Sequence, residues 1–327
     1  MKSLHFTPFF CIFASQKNDF LPIMLKKYVL DLEVKSVQQL NDRYVLLRLT
    51  DSRPLPEMLP GQFVELLIDH EPNTFLRRPI SINFVDREAN ELWLLVACVG
   101  NGTRHLAQLH AGDSLNAVLP LGNGFSVPFM GPNGNADISS AVGVKNKADA
   151  SVNAAGNDGS CSFVNGDSAV TDGSSTGKRY LLVGGGVGVA PLLYLGKVLC
   201  GSGIDVTFLL GARTRGDLLM SEKFAKYGRV LVTTEDGSMG EKGFVTNHSV
   251  LAQERFDMIQ CCGPTPMMKA VARYASTEAI DCEVSLENLM ACGLGACLCC
   301  VEKTVDGNLC VCKDGPVFNI KRLLWQI

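Results

Sequence analysis

The sequence has too little net charge, and no run of one sign, to mark a binder of nucleic acid or of an anionic surface. The formal balance is −3 over 327 residues, which leaves no basic face for phosphates to meet. Long apolar runs are missing as well, and nothing approaches the length that spans a bilayer, so no membrane partner is expected. The stretch Leu4–Ala14 is apolar behind Lys2, yet Thr7 and Pro8 interrupt it and no small-residue cleavage site follows, which argues against an export signal. Met24 stands directly before a strand-like pattern, so residues 1–23 are expected to be a disordered extension or the product of an upstream start. What the chain has in excess is cysteine. Thirteen are present, an odd number gathered in clusters, which disfavours a secreted disulfide framework and favours metal ligation in a reducing cytoplasm.

Six of these cysteines fall between Cys292 and Cys312. Cys292, Cys297 and Cys300 form a C-x4-C-x2-C run with the spacing of plant-type [2Fe-2S] ligation, and Cys312 is the natural fourth ligand. Gly293 and Gly295 strengthen the reading, because a loop wrapped round a cluster must bend tightly and bring backbone N–H groups against sulfur. A four-thiolate zinc site is the rival, but such sites usually pair two CxxC knuckles, and here the fourth ligand stands alone. Cys299 and Cys310 are spare thiols on this register.

The fold class expected is multidomain, β plus α/β. Residues 24–125 carry short β-rich runs, YVLDLEV, YVLLRL, QFVELLI, ISINFV and LWLLVACV, separated by turn formers, which suggests a small antiparallel barrel with one helix at Thr103–Leu109. In it, Arg78 and Ser81 lie on one extended segment. They can meet the pyrophosphate and the ring edge of a flavin dinucleotide, and Gly100-Asn101-Gly102-Thr103 offers backbone N–H groups to a second phosphate. Residues 126–177 are rich in Gly, Ser, Asn, Ala and Asp and lack a period, so disorder is expected there.

Residues 178–281 alternate strand and helix. The strand Arg179–Val183 runs into Gly184-Gly185-Gly186-Val187-Gly188, with Pro191 placed for a first helical turn, the strand–turn–helix context of dinucleotide binding. IDVTFLLGAR, RVLVTTEDG and FDMIQCCGP are further strands, with helices expected at Asp217–Tyr227, near Asn247–Glu254 and at Met267–Tyr274. Cys262, Gly263 and Pro264 would join the glycine turn in one crevice beyond the carboxyl ends of the strands. Residues 282–327 form the cysteine-rich [2Fe-2S] segment.

In order, RRPISI, GNGT, GGGVGVAPLLYLG, TEDGSMGEKGFVT, CGPTPMMKA, MACGLGACLCC and CKDGPVF closely resemble the electron transfer subunits of class 1B dihydroorotate dehydrogenases, members of the ferredoxin-NADP reductase-like flavoproteins. The resemblance covers Lys26–Phe125 and most of the chain after Lys178. It implies one FAD, one [2Fe-2S] cluster, NAD as acceptor and a partner catalytic subunit carrying FMN, in a heterotetramer of two of each that serves pyrimidine (UMP) biosynthesis. It further implies that Arg78, Pro79, Ile80 and Ser81 bind FAD, that Gly102 and Thr103 meet its phosphates, and that Leu95, Val96 and Ala97 flank the flavin. Many members carry a Tyr-Arg pair where this chain has Val96 and Ala97, so only a backbone role carries over there. Cys292, Cys297, Cys300 and Cys312 match the cluster ligands. No side chain is required as acid or base, and Arg213 and Arg215 leave NAD against NADP open on charge alone. Two rivals remain: a reductase subunit of another FAD/[2Fe-2S] enzyme, such as a ferredoxin:NADP oxidoreductase or sulfide dehydrogenase, and a zinc-stabilised nucleotide-binding regulator without redox activity.

Overall fold

The computed structural model describes residues 26–69, 71–128 and 177–325. The expected extension at 1–23, and residues 129–176 of the expected low-complexity segment, lie outside them.

The first part closes into a six-stranded barrel. Strands β1 (Tyr28–Asn41), β2 (Tyr44–Thr50), β3 (Phe63–Leu66), β4 (Arg78–Asp86), β5 (Glu91–Ala97) and β6 (Ser114–Leu121) pair in the order β1-β2-β5-β4-β3-β6, which leaves no open edge. Inward positions such as Leu32, Val34, Leu47, Leu49, Ile82 and Leu94 are fully buried, which is what the period of two in these runs demands. Strand β6 is absent from the five expected runs, since Asn116 and Pro120 mask its alternation, yet it closes the barrel between β1 and β3. The helix α1 spans Asn101–Leu106, two residues ahead of its expected start, with the Thr103 hydroxyl accepting from Gly100 N at 3.0 Å to close its first turn.

The second part is a seven-stranded sheet. Its strands β7 (Arg179–Gly185), β8 (Asp205–Ala212), β9 (Arg229–Thr234), β10 (Glu241–Lys242), β11 (Met258–Cys262) and β12 (Asp281–Ser285) run parallel, and helices α2 (Ala190–Gly201), α3 (Ser221–Phe224), α4 (Val250–Gln253) and α5 (Thr265–Thr277) connect them. The helix expected over Asp217–Tyr227 is broken instead. A 3-10 turn at Arg215–Asp217 is followed by extended Leu218 and left-handed Met220 (φ 58°), so only four residues remain for α3. Helix α2 packs on β4, where Asn83 Nδ2 donates to Ala190 O at 2.9 Å and the Tyr194 hydroxyl donates to Met58 O at 3.2 Å, and this contact fixes barrel against sheet.

The cysteine-rich segment adds a hairpin of β13 (Val301–Thr304) and β14 (Gly307–Cys310), the single turn α6 (Val311–Asp314), and β15 (Val317–Asn319), which pairs antiparallel with β12 as the last strand of the sheet. The segment is therefore sewn into the nucleotide-binding sheet. Asn123, beyond β6, secures it from the barrel side, its N donating to Gly315 O and its Nδ2 to Lys313 O and Asp314 O.

Disorder expected from residue 126 onward does not hold for the first three residues. The Ser126 backbone N donates to Glu283 Oε2 at 3.0 Å, its hydroxyl donates to Oε1 of the same carboxylate, and Val127 is buried. Gln260 Nε2 completes the anchor by donating to Ser126 O and Glu283 Oε2, both at 2.9 Å. Among the described residues no helix is long and apolar enough to cross a membrane.

Candidate functional site

The cysteine loop departs from regular structure because Gly293 (φ 65°), Gly295 (φ 83°) and Leu298 (φ 58°) all take left-handed backbone. These bends turn N–H groups onto sulfur. Leu294 N donates to Cys292 Sγ at 3.3 Å, Gly295 N to Cys312 Sγ at 3.1 Å and Cys312 N to Cys300 Sγ at 3.3 Å. A Cβ at Gly295 would sit 2.9 Å from Lys313 Cδ, so the close approach also requires glycine. Burial acts to raise the Cys292 thiol, but N–H groups of Leu294, Cys297 and Ala296 and the Cys297 thiol outweigh it and bring the thiol down to about 6. Cys300 and Cys312 are buried, while Cys297 and the spare Cys299 are exposed. Among the described residues no three such side chains converge as a single-ion site would. Backbone donors on Cys292, Cys300 and Cys312 suit thiolate ligands, and with Cys297 these residue types fit a cluster held by thiolates.

The segment expected to bind flavin lies beside β3, whose Glu65 meets this loop at Gly293. Arg78, Pro79, Ile80 and Ser81 open β4, opposite Leu66, Glu65, Val64 and Phe63 of β3. Among the described residues Arg78 donates to Leu76 O alone, and its aliphatic stem passes 3.4 Å from where a Cβ on Gly102 would lie, so the two expected phosphate-binding elements meet. A Cβ on Gly102 would press on Thr74 Cγ2 at 3.0 Å, and Arg78 beside this helix start fits a dinucleotide pyrophosphate. Arg77 is committed elsewhere, to Glu65 O and to Asn116. Of the three residues expected to flank the flavin, Leu95 and Val96 are buried in the barrel and only Ala97 reaches open space.

That space is a cleft of about 660 Å³ between barrel and sheet. Gly185, Gly186 and Gly188 form one wall, with Gly263 and Pro264 beside them at the carboxyl end of β11. A Cβ on Gly188 would lie 2.4 Å from Gly263 Cα, so the two turns touch. Gly184 and Cys262 do not line the cleft. Gly184 lies against Leu192 and Val189, and burial raises the Cys262 thiol beyond any use as a nucleophile. Arg213 and Glu235 face the cleft from the ends of β8 and β9, while Arg215 stands outside it.

Sequence reasoning passed over two groups. Glu65 is 1% exposed, neither carboxylate oxygen has a hydrogen-bond partner among the described residues, and Oε1 lies 3.0 Å from the position of a Cβ on Gly293. It thus stands between the flavin strand and the cysteine loop, and its desolvation raises its carboxyl to about 7. The other is the Arg43-Tyr44 pair, which reaches the cleft from the start of β2. An Asn41-Asp42 turn before a strand gave no signal for this pair, and Glu65 within a β-rich run gave none either.

Known proteins resemble this chain in sequence and in fold. A family profile described as the iron-sulfur cluster binding domain of dihydroorotate dehydrogenase B matches residues 287–324, and an oxidoreductase NAD-binding domain matches 182–273. The dihydroorotate dehydrogenase B (NAD(+)) electron transfer subunit of Shouchella clausii is 34% identical over 268 residues, 80% of this chain and 85% of that one. Its counterpart in Listeria monocytogenes serotype 4a is 34% identical over 297 residues, covering 89% and 98%. Among solved structures, the NADH-dependent reduced ferredoxin-NADP oxidoreductase matches with a TM-score of 0.69 at 26% identity over 90% of each chain.

Proposed function

The chain belongs to the family of dihydroorotate dehydrogenase B electron transfer subunits, and from that premise we propose that it takes electrons from a dihydroorotate-oxidising partner at its cysteine loop and delivers them to NAD⁺ in the cleft. The observation that carries this reading is the set of backbone donors on Cys292, Cys300 and Cys312, in a loop whose Gly293 packs against Glu65 of β3, the strand paired with β4. When bound, the cluster supplies one-electron transfer and FAD the exchange between one-electron and hydride chemistry.

The residues divide that work. Cys292, Cys297, Cys300 and Cys312 hold the cluster, and the loop N–H groups stabilise its sulfur charge. Arg78 and the backbone of Gly102 and Thr103 bind the FAD phosphates, while Pro79, Ile80 and Ser81 orient its ring. The Gly185–Gly188 turn leads into α2, where free N–H groups favour the dinucleotide phosphates. Leu289, Leu294 and Leu298 stand 86%, 49% and 63% exposed around the thiols, and an apolar rim of this kind supports a docking face for the catalytic subunit. We take that subunit to carry FMN, the assembly to hold two of each chain, the pathway to be pyrimidine synthesis and the compartment to be the reducing cytoplasm. The last domain boundary is best set after Leu286, since β12 runs across residues 281 and 282.

Anaerobic co-expression with an FMN subunit tests the proposal. Dihydroorotate-dependent reduction of NAD⁺, with NADH preferred over NADPH in the reverse dye assay, is the expected result. Copurification with a larger partner rich in [4Fe-4S] clusters, and no orotate formed, would favour the ferredoxin-NADP reductase reading that the structural likeness also admits. A colourless zinc protein would overturn both.

A further inference from the structure

The strand order of the sheet gives the cleft a direction. From the glycine turn at the end of β7, the carboxyl ends run one way to β11 and β12, beside the cysteine segment, and the other way to β8 and β9. The segment expected to hold the flavin meets the sheet on the β12 side, by way of Glu65 and Gly293. A dinucleotide whose pyrophosphate rests on the glycine turn reaches that flavin with its nicotinamide over β11. Its adenosine half then falls over the ends of β8 and β9.

Two charged residues line the cleft at that end, and they are neighbours. Ala212 stands opposite Thr234 in the parallel ladder, which runs one step further, Glu235 N donating to Ala212 O at 3.1 Å and Asp236 N to Arg213 O at 3.2 Å. Arg213 and Glu235 therefore leave adjacent strand ends side by side, both at the cleft. Neither side chain forms an ion pair or a hydrogen bond among the described residues. The other charges are spent or distant. Asp217 lines the cleft too, but it is paired with Arg43 and accepts from the Thr214 hydroxyl at 3.2 Å. Glu287 follows β12, at the opposite end. The loop after Glu235 is braced by its own bonds, Ser238 N and Oγ donating to Asp236 Oδ1 at 3.0 and 2.6 Å, and Arg215 N donating to Ser238 Oγ at 2.8 Å. Glu235 is thus an uncommitted acceptor on a fixed backbone, beside an uncommitted cation.

The adenosine ribose of NAD⁺ brings hydroxyls that donate to a carboxylate, whereas NADP⁺ brings a 2′-phosphate that a carboxylate repels and a guanidinium attracts. We propose that Glu235 is the specificity-determining residue for the dinucleotide, its carboxylate holding the ribose hydroxyls of NAD⁺ and rejecting the 2′-phosphate that Arg213 would otherwise admit. In the dinucleotide fingerprint the ribose-binding acid follows the glycine turn by about 20 residues. Here that region holds Arg213, and the acid is carried by the next strand. Selection of this kind rests on the repulsive group as much as on the attractive one. The assignment deepens the function proposed above and rests on it.

The test uses the holoenzyme, with FAD and cluster loaded. Equilibrium binding of NAD⁺, of NADP⁺ and of 2′,5′-ADP, the adenosine end of NADP⁺ alone, is titrated calorimetrically, and FAD and iron content are measured alongside. Glu235→Gln is expected to weaken NAD⁺ about tenfold and to tighten NADP⁺ and 2′,5′-ADP about tenfold, with both cofactors retained. Adding Arg213→Gln to that variant should remove the gain for the two phosphorylated ligands. An unchanged ratio of NAD⁺ to NADP⁺ affinity in Glu235→Gln would overturn the assignment, whether or not FAD or iron is lost, since the residue would then only shape the cleft. A gain that persists without Arg213 would overturn it as well. Tighter binding of NADP⁺ than of NAD⁺ by the wild type would defeat the role of Glu235 and leave the electron-transfer function standing. No binding of either dinucleotide by the wild type would overturn both.

Discussion

The cysteines of β11 and β12 and those of the Cys292–Cys312 loop are the same side chain in opposite surroundings. Cys261, Cys262 and Cys282 sit inside a parallel sheet, where desolvation raises every thiol, Cys282 to about 12. They are small apolar fillers there. In the loop, left-handed glycines turn N–H groups onto sulfur, and Cys292 is brought down instead to about 6, while burial and the Cys300 thiol keep Cys312 raised despite its own backbone donor. At Cys292 the difference lies in how many backbone groups donate and how open the thiol is to solvent. A sheet spends its N–H groups on neighbouring strands, whereas an irregular loop has them to offer. At Cys292 the irregular chain supplies donors that a strand would have spent, and glycine permits the bends at Gly293 and Gly295.

The largest effect that separates the two groups should come from Cys312→Ser. Dihydroorotate-dependent NAD⁺ reduction should fall more than about a hundredfold with loss of iron, because a ligand is removed and not merely a supporting contact. NADH-to-dye activity, which bypasses the loop, should survive, and equal loss of both in paired assays would break the distinction. A smaller effect is expected at Glu65, which faces the loop from the barrel. Its folded carboxyl is raised from 4.5 to about 7, so the fold favours the protonated form. That contribution is present below the ordinary carboxylate range and is lost as pH rises through about 7. Glu65→Gln should then gain stability over the wild type at pH 8, on the order of 2 kcal/mol, and lose that advantage at pH 5. Thermal unfolding at the two pH values decides it, and a gap independent of pH would show that Glu65 is compensated in the holoprotein. The smallest effect should be Cys282→Ala, which costs about 1 kcal/mol as a cavity in the sheet while iron content and electron flux stay unchanged. Loss of iron in that variant would erase the contrast.

Much of this was legible beforehand, for reasons that differ by region. The barrel showed itself through short β-rich runs in five of its six strands, and β6 escaped because Asn116 and Pro120 interrupt the pattern. The glycine turn and the cysteine spacing are local, so spacing alone could place them. Arg78 and Gly102 could be nominated separately, but that they touch is a fact of barrel closure. The helix expected from Asp217 failed at Met220, whose left-handed backbone no propensity scale would assign to methionine. Glu65 and the Arg43-Tyr44 pair were invisible because their importance lies in what stands across from them, Gly293 in one case and Asp217 in the other. Register and docking create that kind of information, and linear spacing does not carry it.

The anchor at Ser126 has a consequence for how the chain tolerates change. It ties the barrel's exit to β11 and β12 through Gln260 and Glu283, and the chain returns just before β7, the strand that pairs with β11. The two ends of the intervening stretch are thus pinned to neighbouring strands by contacts that do not involve it. Lengthening a connection between fixed points costs only about 0.6 kcal/mol for each doubling. This junction is accordingly a permissive port, where lineages can add or remove tens of residues while the spacing between flavin strand, cysteine loop and cleft is left as it was.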